Sequence, residues 1–552
     1  MKARKRFTKC LENALRNDTG SSLTSNLEPM RRNHRGVSEY ILYAAVWCIP
    51  FTGARLLGQA TPVATGSTAG ASAATQLPLS GRGAASGSVS TTQSVPNNGT
   101  NSVNVINSTV TLTGPYAGSV SGATAAELIQ PLTLDHALAL GLRNNLGQVS
   151  QSNSVLQAKG QRLVARSALL PNVSSTLGET LEKINLAAQG FRSPIVPIPG
   201  IPATVGPINF FDARAVKLNQ TLVDFVQLRN LRSASQNVKS IRASALDARD
   251  LVVLAVAGSY LQVVAAQARV VAARAQVESS RASYQQAADR FEAGTNARID
   301  VTRSQVQYQT DVQRLRADQA DVERQKLTLS RIIGLPNGSV YGIKKEFPFT
   351  PLQDLSVEAA LKRANENRAD LQSAKQGVQA AESSLKAAHS EYLPSLSFTG
   401  DYGALGVNPA QAHGTFTIAG TITVPIFQGG KVQGDSEQAR ATLNQRKAEL
   451  QDTYGVIDRD VREAFIDLNA AADQVGVAES NVSLANETFV QARDRFMAGV
   501  TDTVEVVQAE QTVAQANNDY ISAVFEHNMA KVALSRAMGQ AEITVKQLLR
   551  SK

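Results

Sequence analysis

Five histidines, His34, His136, His389, His413 and His527, are the side chains here best able to bind a metal or carry a proton near neutral pH. They share no metal-ligand spacing with carboxylates or with one another. His389 and His527 fall within helical patterns and His413 at a strand edge, so they read as lone surface histidines. There is no HExxH, no GxSxG and no P-loop. Gly81, Gly83 and Gly87 have the look of a phosphate-binding loop, but no strand precedes them and no helix follows. Cys10 and Cys48 are the only cysteines, both near the start, so no disulfide framework exists downstream. No catalytic residue, metal or cofactor is expected, and the chain does not read as an enzyme.

Two acidic residues, Asp300 and Glu505, stand apart because each follows a glycine turn at the start of a helical pattern. A carboxylate there is favourable to the helix dipole on any fold. The elements that carry them occur twice. LTLDHALALGLRNN (132–145) matches LSVEAALKRANENR (355–368) at an offset of 223, and Pro171 falls on Pro394. QAADRFEAG (286–294) matches QARDRFMAG (491–499), and LSRIIG (329–334) matches LSRAMG (534–539), both at an offset of 205. The difference falls between Pro171 and about Phe225, where the Pro/Gly-rich stretch 191–207 reads as a longer surface loop. Each unit (131–335 and 353–540) is read as helix, two strands, very long helix, tight turn and helix, with 541–552 as a tail.

The long helix is the strongest signal. Leu450, Tyr454, Ile457, Val461, Ala464, Leu468, Ala471, Val475, Ala478, Val482, Ala485, Phe489, Ala492 and Phe496 alternate by four and three, the period of a left-handed coiled-coil seam. Ala245, Val252, Val256, Val263, Ala266, Val270, Ala273, Val277, Tyr284, Ala287 and Phe291 repeat it, with Ser259 and Ser280 filling two positions and Arg249 alone breaking it. One helix over 430–497 would run about 100 Å. Gly294 and Gly499 end the long helices, and those over about 298–333 and 502–538 must run back antiparallel.

In GTFTIAGTITVPIF, Phe416, Ile418, Ile422 and Val424 alternate with Thr415, Thr417, Thr421 and Thr423; Leu396, Phe398 and Tyr402 repeat the pattern on the partner strand. Apolar outside and Thr inside fits a membrane barrel strand, and an ordinary half-buried sheet gives the same alternation. The strands at about 172–184 and 208–221 alternate less cleanly. An open sheet cannot sit in lipid, because its edge N–H and C=O groups would lack partners. Four strands per chain fall short of the eight with which membrane barrels begin. If these strands span a membrane, the barrel is shared between chains.

The net charge is +9, but residues 1–60 hold ten Lys/Arg against four acids, which leaves +3 for everything after residue 60. A nucleic-acid partner therefore finds no support. Residues 40–54 are an uncharged apolar run too short to span a bilayer core of about 30 Å. They follow basic residues and precede Gly58-Gln59-Ala60, the pattern of a signal peptide over 1–60, with Met30 an alternative start and a membrane anchor the competing reading. Residues 61–126 are Ser/Thr/Gly/Ala/Asn-rich with one charge, Arg82, and are expected to be a disordered arm.

Two such units after a leader resemble the TolC family of outer-membrane efflux and secretion channels. The resemblance covers about 131–540 and rests on LTLDHAL and LSVEAAL, Leu170-Pro171 and Leu393-Pro394 at strand entry, VPIFQGGK (424–431) and the doubled RF-x-AG tips. It implies a homotrimer with a twelve-stranded barrel in the outer membrane, continued by a periplasmic α-helical coiled-coil barrel. It implies a periplasmic adaptor and an inner-membrane transporter as partners, with the adaptor meeting the tips at Gly294, Thr295, Gly499 and Val500. Aligned through the tip glycines, Asp300 and Glu505 fall where the family has gate aspartates, and Gln508 where it has a further one. Phe496 and Thr501 replace a tyrosine and an arginine that tie neighbouring helices shut, so closure is expected to rest on apolar packing, with no cation offsetting the carboxylates within the tip. A soluble periplasmic coiled-coil adaptor or tether is the alternative; it would share the hairpins but not need the alternating apolar strands.

The leader reading has a direct test. N-terminal sequencing of the mature protein should begin at Thr61, with both cysteines removed; a start upstream of Cys48, or a lipid on Cys48, would contradict it.

Overall fold

The computed structural model describes residues 75–76, 89–94, 107–122, 131–186, 204–336, 338–344, 349–352 and 355–549. The expected leader with its cysteines, the glycines at 81–87 and most of the 191–207 loop lie outside them. Among the described residues the chain is mainly helical, with two antiparallel sheets. In chain order the elements begin with β1 (Thr75–Gln76), β2 (Val89–Ser94) and β3 (Asn107–Leu112). Then come α1 (Leu134–Asn144), α2 (Leu146–Ser167), β4 (Asn172–Asn185), β5 (Thr204–Val223), α3 (Phe225–Glu292) and α4 (Arg298–Ile333). They are followed by α5 (Val357–Asn367), α6 (Ala369–His389), β6 (Ser395–Gly406), β7 (His413–Thr423), α7 (Lys431–Met497), α8 (Thr503–Met538) and α9 (Ala541–Leu549).

The helix boundaries have local causes. Asp224, between β5 and α3, accepts hydrogen bonds from the N–H groups of Val226 (2.8 Å) and Gln227 (3.0 Å), capping donors that the first turn leaves free. Pro171 and Pro394 stand just before β4 and β6, where proline disfavours helix in the residue before it. At 68 and 67 residues, α3 and α7 each run about 100 Å.

The four-three seam of α7 is buried from Ile457 to Ala478 and again at Ala485, Ala492 and Phe496, packed against α8. Near the strand end the register slips: Thr453 is buried and Tyr454 exposed. On α3 the seam holds through Val252, Val256, Ser259, Val263, Ala266, Ala273, Val277, Ser280 and Ala287. Arg249, the break in that pattern, donates from Nε to Glu542 of α9 (3.0 Å), so the charge is used between helices. Residues 250–261 of α3 are buried on every side, because α1, α4, α8, α9 and β3 surround them. The helix also holds an 18-residue stretch apolar enough to cross a membrane by composition, yet most of it is protein core.

One expectation is corrected here. The 61–126 arm was expected to be without structure, but β2 pairs with β3 in register from Val89↔Leu112 to Ser94↔Asn107. Val89 and Tyr116 are buried in the same core as α3. Composition missed this because the arm borrows its core from other elements. The 541–552 tail contains a helix, α9, that buries Ala541, Val545 and Leu549 against that core.

The second sheet has the order β4-β5-β6-β7, all antiparallel. Its two outer edges, on β4 and β7, have no partner strand among the described residues.

Because Ala478 is fully buried against Ala523 of α8, Ala478→Leu forces new volume between close helices, at roughly 1–3 kcal/mol. Gln445→Leu, on an exposed face, should leave the thermal midpoint nearly unchanged. Equal midpoints for the two variants in calorimetry would refute the seam assignment.

Candidate functional site

Two places gather the candidate residues: the four-stranded sheet and the turns at the far ends of the long helices. In the sheet, the pairing Leu396↔Ile422, Phe398↔Gly420, Gly400↔Ile418 and Tyr402↔Phe416 puts the candidate apolar residues on one face. Phe416, Ile418 and Ile422 are 73, 69 and 68% exposed, far too open for a core. Val424 follows β7 and is also exposed. The opposite face carries Ser395, Ser397, Thr399 and Asp401 paired with Thr423, Thr421, Ala419 and Thr417. It also carries an ion group in which Arg214 donates to Asp212 (2.7 Å) and to Asp401.

The first-unit strands looked irregular because of bulges. A register shift between Arg214 and Val216 moves the apolar face of β5 from Phe211 and Ala213 to Val216 and Leu218. Across it, β4 adds Val173, Leu177 and Leu181, all exposed. These three were missed in the sequence; their spacing by four is visible there, but the register that aligns them with β5 is not.

At the helix ends, Gly294 (φ +73°) and Gly499 (φ +74°) take the left-handed conformation that glycine adopts without strain. The next residues close the turns, Thr295 N–H donating to the Arg290 carbonyl (2.9 Å) and Val500 N–H to that of Arg495 (3.0 Å). Thr295 and Val500 are exposed.

Asp300 lies in the first turn of α4 and faces Arg303 at 3.8 Å. Glu505 lies in the first turn of α8, where it pairs with Arg495 at 3.3 Å and accepts a hydrogen bond from the Thr501 hydroxyl. The expectation of a tip without a balancing cation is therefore wrong. The cation comes from the residue before Phe496 and not from position 501. Gln508 lines a groove between α4 and α8 with Ile299, Val306, Val504 and Gln511.

Phe496 does not pack on apolar neighbours alone. The Arg290 guanidinium lies 4.8 Å from its ring centroid and donates to the carbonyls of Phe496 (2.7 Å) and Met497 (2.6 Å). Arg290 and Arg495 both belong to the doubled RF-x-AG motif. The doubled motif is visible in the sequence, but not that its arginines make different bonds.

Farther along the hairpins the seam turns polar. Glu510 is 2% exposed and accepts from Ser283 (2.6 Å) and Ser279 (3.3 Å) of α3, with its second oxygen unpaired. Asp311 is buried nearby and accepts from Gln307, which in turn accepts from Gln511 (3.0 Å). Burial pushes the Glu510 carboxyl above its usual range; the Ser283 and Ser279 hydroxyls oppose the shift and Asp311 adds to it. His527, expected at the surface, is fully buried against Phe349, with ring centroids 4.7 Å apart. Among the described residues no cluster of three or more His, Cys, Asp or Glu could hold a metal.

The outer membrane efflux protein family matches this chain over residues 139–335 and 360–540. The chain is 24% identical over 387 residues to the outer membrane protein TolC of Vibrio cholerae, covering 68% of this chain and 83% of that protein. It is 22% identical over 420 residues to the pyoverdine export outer membrane protein OpmQ of Pseudomonas aeruginosa, covering 74% and 85%. In fold it is similar to the Campylobacter jejuni CmeC outer membrane channel, with a TM-score of 0.64 at 17% identity over 82% of this chain and 97% of the other.

The raised Glu510 carboxyl sets the sign of a pH effect. A carboxyl with a higher affinity for protons folded than unfolded contributes most in acid, and that contribution is lost as pH rises from the unfolded value of 4.5 through the folded one. Glu510→Gln should raise the thermal midpoint at neutral pH and flatten the gain the native protein shows on acidification. A lower midpoint with an unchanged pH profile would refute this reading.

Proposed function

Because the chain belongs to the outer membrane efflux protein family, we propose that three copies join their four-stranded sheets into one twelve-stranded barrel in the outer membrane. The protein is an outer-membrane channel of the efflux and secretion kind. Its family is one of transport channels and not of enzymes.

The observation that carries the trimer is the sheet itself. It has an exposed apolar face, a polar face with an ion group, and two edges without partners. In hydrocarbon each unpaired edge group would cost several kcal/mol, so the edges of β4 and β7 need strands from other copies. Leu396, Phe398, Tyr402, Phe416, Ile418, Ile422 and Val424 would then face lipid, joined by Val173, Leu177 and Leu181. The polar face would line the lumen. A soluble tether loses its support, since it has no use for such a face.

The hairpins α3–α4 and α7–α8, of matching lengths, suit an origin by duplication and a helical conduit through the periplasm. Their tips at Gly294, Thr295, Gly499 and Val500 would meet a periplasmic adaptor that links the channel to an inner-membrane transporter. Asp300, Glu505, Gln508, Phe496 and Thr501 would form the periplasmic gate. Acidic groups in a narrow ring favour cations, and here Arg495 tempers that charge. The conduit would carry cargo passively.

Native mass spectrometry of the detergent-solubilised protein should give three copies, with no stable inserted monomer. A monomer that conducts ions in planar bilayers would overturn the shared barrel.

A further inference from the structure

Arg290 is the last basic residue of α3, and its side chain leaves its own hairpin. It caps the C-terminus of α7 on the other hairpin, where Phe496 and Met497 are the last two helical residues. Carbonyls at a helix C-terminus have no partners within the helix and carry the negative end of its dipole, so a guanidinium is well matched to them. Its planar fork serves two adjacent carbonyls at once, and its face lies over the Phe496 ring.

The repeat supplies an internal comparison. Arg495 holds the same place in the second RF-x-AG motif, yet it bonds Glu505 of its own hairpin. The two phenylalanines differ accordingly: Phe496, under Arg290, is 5% exposed, and Phe291 is 43% exposed. The motif is symmetric in sequence, but the tie between hairpins runs one way.

We propose that Arg290 is the latch of the periplasmic gate, a positioning residue that holds the tip of α7–α8 against α3–α4 within each protomer. The proposal rests on the gate reading given above. With the tyrosine and the arginine of the family pattern replaced by Phe496 and Thr501, Arg290 supplies the closing bond by an alternative route: it uses the backbone of position 496 and the face of its ring, neither of which needs a phenol. Opening requires α7 to move away from α3, and that motion breaks two charge-assisted bonds together. The Arg495–Glu505 pair stays within its hairpin and travels with it, so it tunes charge without resisting opening.

The test is single-channel recording in planar bilayers on trimers of the native protein, Arg290→Ala, Arg290→Lys and Glu505→Gln. Loss of one charge-assisted bond corresponds to on the order of tenfold, so Arg290→Ala should raise the open probability by at least about that factor. Arg290→Lys, which keeps the charge but not the two-carbonyl fork, should fall between. Cation selectivity should be unchanged in both and reduced in Glu505→Gln. If Arg290→Ala conducts as the native protein does while Glu505→Gln alters selectivity, the latch is wrong and the gate reading stands. If all three variants behave as native, the tips are not the constriction and the gate reading falls with the latch. Should Arg290→Ala not assemble, Arg290→Lys decides: a native open probability in an intact trimer overturns the latch.

Discussion

A strand edge has nowhere to hide its N–H and C=O groups in hydrocarbon, and the rest of this architecture depends on that constraint. Among the described residues of one chain, β4 and β7 end the sheet with open edges, while its apolar face is too exposed for a core and too extensive for an ordinary surface. The strands also set where the helices begin. β5 passes through the single residue Asp224 into α3, and β7 reaches α7 through a short segment ending in Gly429 and Gly430, both at positive φ. The ends of β5 and β7 therefore fix where two helices of about 100 Å start.

Along those helices the interior changes character. Beside α1, α8, α9 and β3 the core is apolar, and α3 is covered all around. Ionic groups frame it: Arg368 is 1% exposed and bonds both Asp370 (2.7 Å) and Asp460 (3.0 Å), and Arg536 bonds Asp247. Paired charges of this kind fix which helices lie together more than they add stability. Burial raises the Asp247 carboxyl to about 6, against the pull of Arg536. Toward the tips the interior becomes polar, with Glu510, Asp311 and Gln307 where apolar residues would pack more tightly. Fewer apolar contacts mean local opening at lower free energy. The hairpins are thus anchored firmly at one end and held more loosely at the other.

The α3 segment at 250–261 shows how little composition says about surroundings. The helix that contains it has an 18-residue stretch apolar enough to cross a membrane, yet most of that stretch is buried in the protein. The strands, far less apolar, present the larger exposed apolar face. Alternation puts half of each strand on that face and averages its hydropathy away.

The single helix expected ahead of each strand pair is two, α1–α2 and α5–α6, but the amino-acid order by itself determined the period of the long helices, the glycine turns at 294 and 499 and the alternating face of β6 and β7. These are local properties: helical period, left-handed glycine and strand alternation each need only a few neighbouring residues. Family membership was also legible, through motifs spread over 131–540. Only the tertiary structure decided the rest. It placed β2, β3 and α9 in a core they cannot build alone, buried His527, and aligned Val173, Leu177 and Leu181 with β5 across a bulge. It also gave Arg290 and Arg495, identical in motif, different partners. A side chain's bonds depend on which distant helix ends beside it, and spacing along one chain carries no record of that.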